Sequence, residues 1–355
     1  MPEERVRTLF FFPPLNKLSG GMAVIARMSM QLRQAGFSTF LVPREDTQLA
    51  CDAAPDVPII SWNNLRFACD DIWVVPEGWP QGLLAGLQAH VQCVIYVQNW
   101  AYLLRNIPAT TLSSLPVQFM AVSHPVAWYI RETTGRQSFL LRPGIDTNLF
   151  HPHPERQNCP AKPITERLKV AWMPRKNKAL TRQIIDVLSA RGQDIEWIEI
   201  HGRSQKEVAE LMRNSHIFLA TGFPEGCPLP PLEAMASGCI VAGWGGLGGW
   251  DYMRQTTTFP GAFEPWWPQE DVLWGGNGFY AADADILGAV FALEQACRLL
   301  RTGGPELALM RRHTAMTVQR YSIIQQALSV TTLWSLFEKN IANNRSISSL
   351  QENYD

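Results

Sequence analysis

The sequence has almost no net charge, with 31 lysines and arginines against 32 aspartates and glutamates in 355 residues. That balance excludes steering of nucleic acid by a global field, and residues 1–150, with 11 basic and 11 acidic side chains, give no composition-level patch for anionic lipid. No CxxC pair occurs. The seven cysteines (51, 69, 93, 159, 227, 239 and 297) are odd in number, so neither a disulfide framework nor a zinc site is expected. A long apolar run is also missing. Of the two uncharged stretches, 78–104 is dotted with Gln81, Gln88, Gln92, Gln98 and Asn99, and 106–130 holds three prolines, so neither reads as a membrane span. The apolar run Leu9 to Phe12 stops at Pro13-Pro14, too short and too early-charged for a signal peptide. These absences together predict a cytoplasmic protein.

What is present is a globular composition, 46% hydrophobic and 18% charged, which excludes disordered, collagen-like and coiled-coil classes. The length suits two domains. Short apolar, β-branched runs alternate with helical patterns, the signature of βαβ units and parallel sheets. Strands are expected near 6–12, 38–42, 57–60, 71–75, 92–97, 118–122 and 137–141, and again at 168–173, 195–200, 216–220 and 239–243. The clearest helix runs from Gly20 to Ala35, with Met22, Ile25, Ala26, Met28 and Leu32 at helical spacing and Gly36 closing it. In the second half, helices are expected at 179–191, 204–214 and 230–237, then at 285–301 and 305–340. Pro152, Pro154, Pro160 and Pro163 mark a linker. The predicted division is an N-terminal Rossmann-like domain over 1–150, a linker over 151–167, a second Rossmann-like domain over 168–310, and C-terminal helices and tail over 311–355.

In open parallel sheets, ligands bind beyond the carboxyl ends of the strands. In the second half, the residues that follow the strands there are Pro174 to Lys178, His201-Gly202-Arg203, Thr221 to Gly226, and Trp244 to Gly249. Cations, carboxylates and glycines should converge on one rim. Between 162 and 182 stand seven lysines and arginines and one acid, Glu166, an excess suited to a pyrophosphate; a solvated basic helix start is the plain alternative. Glu225 and Glu233, eight residues apart in EGCPLPPLE, fall in a loop and inside the following helix, because Pro230 and Pro231 suit a first helical turn. Two carboxylates beside a phosphate site suit vicinal sugar hydroxyls. Pro228, Pro230 and Pro231 have no N–H, which leaves Cys227, Leu229 and Leu232 as backbone donors. His201 is either a base or phosphate contact or an exposed loop histidine. Five tryptophans (244, 250, 266, 267 and 274) crowd glycine-rich turns, either to stack on sugars or to pack a core.

In this order, these residues resemble the retaining glycosyltransferases of family 4, which have the α/β GT-B architecture of two Rossmann-like domains facing across a cleft. The resemblance runs from about Gly20 to Asp283. It is carried by the Gly20-Gly21 turn, RPGIDTNLFHP at 142–152, the MPRK segment, EGCPLPPLEAMASG, GGLGGWDY and GGNGFY. It implies a nucleotide-sugar donor held mainly by the C-terminal domain, with no cofactor and no metal demanded. Arg175 and Lys178 match the basic pair on the diphosphate, with Lys176 as the other choice. Glu225 matches the carboxylate near the donor sugar and Glu233 the one on the ribose. Gly20, Gly21, Lys176, His201, Gly226, Cys227, Pro228 and Leu229 complete the donor set. Gln98-Asn99 stands where many members carry a histidine, Asp251 where a glutamate is common, and Gln98, Asn99, Trp100 and His124 are the acceptor-side candidates. The acceptor is a glycan, a lipid-linked sugar, a protein or a small molecule, with peripheral membrane contact one route to it.

Other readings compete. Gly243, Gly245 and Gly248 spell the GxGxxG of a dinucleotide dehydrogenase, but Pro- and Trp-rich sequence follows instead of a helix. Asp283-Ala284-Asp285 looks like a metal-binding DxD, yet it precedes a helical run and reads as an N-cap. Ser123-His124 has no nucleophile elbow around it. Within the GT-B fold, an epimerase or hydrolase, or an inactive nucleotide-sugar binding module, are the alternatives to transfer.

Overall fold

The computed structural model describes residues 6–45, 47–158, 161–343, 346–347 and 350. Cys159, the first five residues and the last five lie outside them. The chain divides into two compact units, one made of residues up to Pro143 together with those from Gln326 onward, the other of Gly144–Gln325.

The first unit is a six-stranded parallel sheet of β1 (Arg7–Phe12), β2 (Ser38–Pro43), β3 (Ile72–Pro76), β4 (Gln92–Val97), β5 (Val117–Ala121) and β6 (Ser138–Leu140), in the order β2-β1-β3-β4-β5-β6. Its strands read as unbroken apolar runs because both faces are covered, by α1 (Gly20–Gln34), α2 (Thr47–Ala53), α3 (Pro80–Gln88), α4 (Trp100–Leu103), α5 (Ala109–Ser114) and α6 (His124–Thr134). Helix α1 buries Met22, Ile25, Ala26, Met28 and Leu32, and Ser19 caps it by accepting from the Met22 N–H. The segment 57–60 is not a strand of the sheet. It meets Leu41 through a single bridge at Ile59, because Pro58 cannot donate to a ladder.

The second unit opens with α7 (Pro154–Asn158) and continues as β7 (Leu168–Trp172), α8 (Lys178–Ala190), β8 (Ile195–Glu199), α9 (Gln205–Arg213), β9 (Ile217–Ala220), α10 (Leu229–Ala236), β10 (Ile240–Trp244) and β11 (Gly278–Ala281). The five parallel strands run in the order β11-β10-β9-β7-β8. Helices α11 (Ile286–Thr302) and α12 (Pro305–Arg320) close the unit, and α13 (Ile323–Ala342) follows. Strand β11 was not among the expected strands: its four residues follow Gly275, Gly276 and Asn277 and are too few to carry a periodic signal.

The prolines of 151–167 do not mark the passage between units. That segment is tied into the second unit, with Ile164 N–H donating to Leu300 O (2.9 Å) and Arg301 to the carbonyls of Ile164 and Glu166. The chain leaves and rejoins at 143–144 and 325–326. Nor do residues 311–355 form one C-terminal part, since α12 lies in the second unit and α13, from Gln326, in the first. There Trp334 stacks on Phe10 (centroids 6.0 Å apart) and donates to Thr8 Oγ1 (2.8 Å).

Candidate active site

In the second unit, four loops leave the carboxyl ends of neighbouring strands, and contacts cross the rim from each to the next. After β7 comes the turn Pro174–Asn177. After β9 comes 221–226, after β10 the glycine turn 245–247, and after β11 the segment 282–285. Sheet order alone makes them neighbours, as β11, β10, β9 and β7 lie side by side.

The first of these contacts is a cation–carboxylate pair. Lys176 Nζ lies 2.8 Å from Glu225 Oε1 and also donates to Pro224 O, with both side chains about four-fifths buried. The β7 turn is shaped by Asn177, whose left-handed backbone (φ 55°) suits an asparagine; its Nδ2 donates to Thr221 O (2.9 Å) and Phe223 O (3.1 Å). Beneath it the Thr181 and Thr221 hydroxyls bond at 2.8 Å. Arg175 is exposed on the same turn. Lys178, at the first position of α8, pairs instead with Glu199 at the end of β8 (3.1 Å). The structure thus brings Lys176, not Lys178, to Glu225.

The second contact holds the Glu225 backbone. Its N–H donates to Gly246 O (2.9 Å), and its carbonyl accepts from Gly248 N–H (3.1 Å). This needs glycine: a Cβ on Gly248 would stand 1.7 Å from Gly226 O, and one on Gly246 2.8 Å from the Glu225 Cβ. The third contact is Asp283 Oδ1 accepting from Gly246 N–H (2.7 Å). Burial pushes the Asp283 carboxyl up to about 6, against the amides of Gly246 and Leu247, which pull it down. Asp285, the other half of the DxD, caps α11 by accepting from Gly288 N–H (2.9 Å), as expected of an N-cap.

Glu233 lies within α10, half-buried, with Pro230 and Pro231 in the first turn as expected. Pro228 precedes the helix and its carbonyl accepts from Tyr252 OH (2.7 Å); Leu229 opens it, and Cys227 is half-buried. His201 is exposed beyond β8. Asp251 is buried and accepts from Tyr321 OH (2.5 Å). The GxGxxG glycines lead into a short 3-10 turn at Gly248–Asp251, without the helix a dinucleotide site needs. Of the five clustered tryptophans, four are buried and only Trp266 is exposed.

In the first unit, Gly21 is where a side chain has no room: a Cβ there would meet Gln98 Oε1 at 2.3 Å. Gln98 Nε2 donates to Gly21 O (2.8 Å). Around Gly20 the space is open. The N–H groups of Gln98 and Asn99 donate to the two oxygens of Glu77, both at 2.9 Å, and Asn99 Oδ1 accepts from Ala101 N–H to cap α4. Trp100 packs on Tyr129 (5.4 Å between centroids), and His124 opens α6 behind its cap Ser123. Glu77 is buried, and burial raises its carboxyl to about 7 although three backbone amides pull it down. Sequence reasoning passed over Glu77, read Asp283 only as part of an N-cap, and placed Asn177 only among the residues that follow a strand. Glu77 is the lone acid in the otherwise uncharged run 72–87.

Among the described residues, no group of three or more His, Cys, Asp or Glu is placed to hold a metal ion, and no helix is long and apolar enough to cross a membrane.

No protein-family profile matches the chain. It is similar to an alpha-1,6-glucosyltransferase of Actinobacillus pleuropneumoniae serotype 7 (strain AP76), 24% identical over 224 residues that cover 61% of this chain and 66% of that protein. The match therefore spans just under two thirds of the relative's length. Among solved structures, it is similar to Anabaena HepE in complex with UDP and glucose, with TM-score 0.63 and 13% identity over 93% of this chain and all of that one. It is similar also to sucrose-phosphate synthase from Thermosynechococcus elongatus, with TM-score 0.62 and 14% identity over 94% and 99% of the two chains. These likenesses identify the fold as GT-B.

Proposed function

We propose, from the GT-B fold and the residues on the rim of its second unit, that the chain is a glycosyltransferase. In this reading it moves a sugar from a nucleoside-diphosphate sugar to an acceptor hydroxyl, with retention of configuration and without a metal. The observation that carries the reading is the Lys176–Glu225 pair, in which Glu225 stands eight residues before Glu233 and is locked by the glycine turn. A cation and a carboxylate on adjacent loops, with a second carboxylate in the helix that follows, match the two ends of such a donor. Lys176 and the exposed Arg175 offer positive charge to a leaving diphosphate, and the carboxylates of Glu225 and Glu233 accept from sugar and ribose hydroxyls. The strategy is electrostatic: charge that develops on the leaving group meets preorganised donors in a partly water-excluded site. The N–H of Leu229 and that of Leu232, at the start of α10, add to it. The acceptor-side set, Gln98, Asn99, Trp100 and His124, and the donor contact at Gly20 and Gly21 belong to the same proposal.

UDP-glucose is the first donor to try, because UDP and glucose are bound by HepE and a glucosyl group is moved by the Actinobacillus relative. UDP release and glucoside formation should proceed in excess EDTA, and the product's anomeric proton coupling should show the donor's own configuration. Lys176→Ala and Glu225→Gln should each lower kcat/KM by about 10²–10³. An inverted product, or loss of activity with EDTA, would contradict retention or metal independence respectively; donor hydrolysis unaffected by any acceptor would favour the hydrolase.

A further inference from the structure

Asp283 is half-buried and has no part in the reaction as proposed. It follows β11, and its neighbour Asp285, not Asp283, caps α11. Its Oδ1 accepts from Gly246 N–H at 2.7 Å on the turn after β10. That turn is strained at Leu247, whose φ of 68° a non-glycine residue keeps only when its surroundings impose it; Gly246, at φ 66°, takes this region freely. The same turn supplies the Gly246 carbonyl and Gly248 amide that clamp the Glu225 backbone. One hydrogen-bonded line therefore runs from Asp283 through Gly246 to Glu225 and Lys176, across strands β11, β10, β9 and β7.

We infer that Asp283 is a positioning residue for the donor site: its carboxylate holds the left-handed Gly246–Leu247 turn and, through it, sets Glu225. The inference rests on the proposed transferase reading for its effect on catalysis. Ionised, the carboxylate anchors the turn through a charge-assisted bond; protonated, it accepts more weakly and the turn loosens. The charged groups on the loops that meet here are the exposed Arg175, Glu225 paired with Lys176, Asp251, which accepts from Tyr321 OH, and Asp285, engaged at the α11 cap; burial, against the amides of Gly246 and Leu247, pushes the Asp283 carboxyl up to about 6.

The test uses the full chain labelled with 13C-carbonyl glycine and 15N-leucine, which selects the three leucines that follow a glycine: Leu83, Leu87 and Leu247. The Leu247 resonance should move with a midpoint near pH 6 while Leu83 and Leu87 stay still, and in Asp283→Asn the Leu247 resonance should be flat. With UDP-glucose as donor, kcat in Asp283→Ala should fall about ten- to hundredfold with KM little changed, as for a misplacement near 1 Å. Asp283→Asn, a neutral acceptor, should recover only part of that loss, to about the level the wild type keeps below pH 6, and remove the acid limb of the wild-type profile. A Leu247 resonance that does not titrate in wild type, or a kcat unchanged in Asp283→Ala, overturns the inference. A wild type that does not use UDP-glucose tells against the donor reading, while the Leu247 titration still decides whether Asp283 holds the turn; should Asp283→Ala not fold, the wild type and Asp283→Asn carry the test.

Discussion

Glu77 shows how opposing effects on one side chain are weighed. Two backbone N–H groups at 2.9 Å would ordinarily hold a carboxyl low, yet burial outweighs them and the group rises to about 7. A carboxyl raised on folding binds its proton more tightly in the native state, so its stabilising contribution is complete below the unfolded value of 4.5 and is lost as pH climbs to about 7. The shift corresponds to a difference on the order of 3 kcal/mol. Urea unfolding from pH 4.5 to 8 should show stability falling with pH, and Glu77→Gln should flatten that slope; an equal slope in the variant would remove Glu77 as its source. At this scale the sequence was only partly readable. Glu225 and Glu233 stood out because their spacing ties them to a proline-started helix. The choice of Lys176 over Lys178 did not, since it depends on the left-handed Asn177, which turns Lys176 toward the β9 loop and leaves Lys178 on α8 beside Glu199.

Among the elements, the glycine turn after β10 is the most exacting. Gly248→Ala would force a Cβ to 1.7 Å from the Gly226 carbonyl, so backbone must shift; a cost of about 1–3 kcal/mol in urea unfolding is expected, as for overpacking. Gly20→Ala, at the first position of α1 with nothing within 4 Å of the added Cβ, should change stability by no more than about 0.5 kcal/mol. Equal costs at the two sites would contradict the close approach. Long periodic elements were legible: α1, α8 and most strands fell where spacing put them. β11 was not, because four residues beside a glycine pair carry no periodic signal, and without β11 the placement of Asp283 on the rim was out of reach.

At the scale of the whole chain, the decisive fact is that α13 packs in the first unit, far along the sequence from β1. Trp334 is fully buried there, stacked on Phe10, and Phe337 meets Phe139 at 5.0 Å. Trp334→Ala should cost about 3–5 kcal/mol, and hydrogen exchange should show faster opening of β1 and β5 than of β7 and β9. Uniform acceleration of both units would contradict the division. The return of the chain had no local signature, since apolar spacing marks α13 as amphipathic without saying which core it covers. The prolines at 152–163 pointed to a linker because composition cannot distinguish a free connection from a segment pinned by Arg301 and Leu300.

In the proposed function the second unit binds a nucleotide sugar through Lys176 and Glu225. Calorimetric titration of the full chain with UDP, ADP, GDP and UDP-glucose, repeated for Lys176→Ala and Lys178→Ala, tests it most directly. One nucleotide should bind in the micromolar range, Lys176→Ala should weaken it at least tenfold, and Lys178→Ala, whose partner is Glu199, should leave it within twofold. Absence of binding to every nucleotide, or loss through Lys178 with Lys176→Ala unaffected, would contradict it.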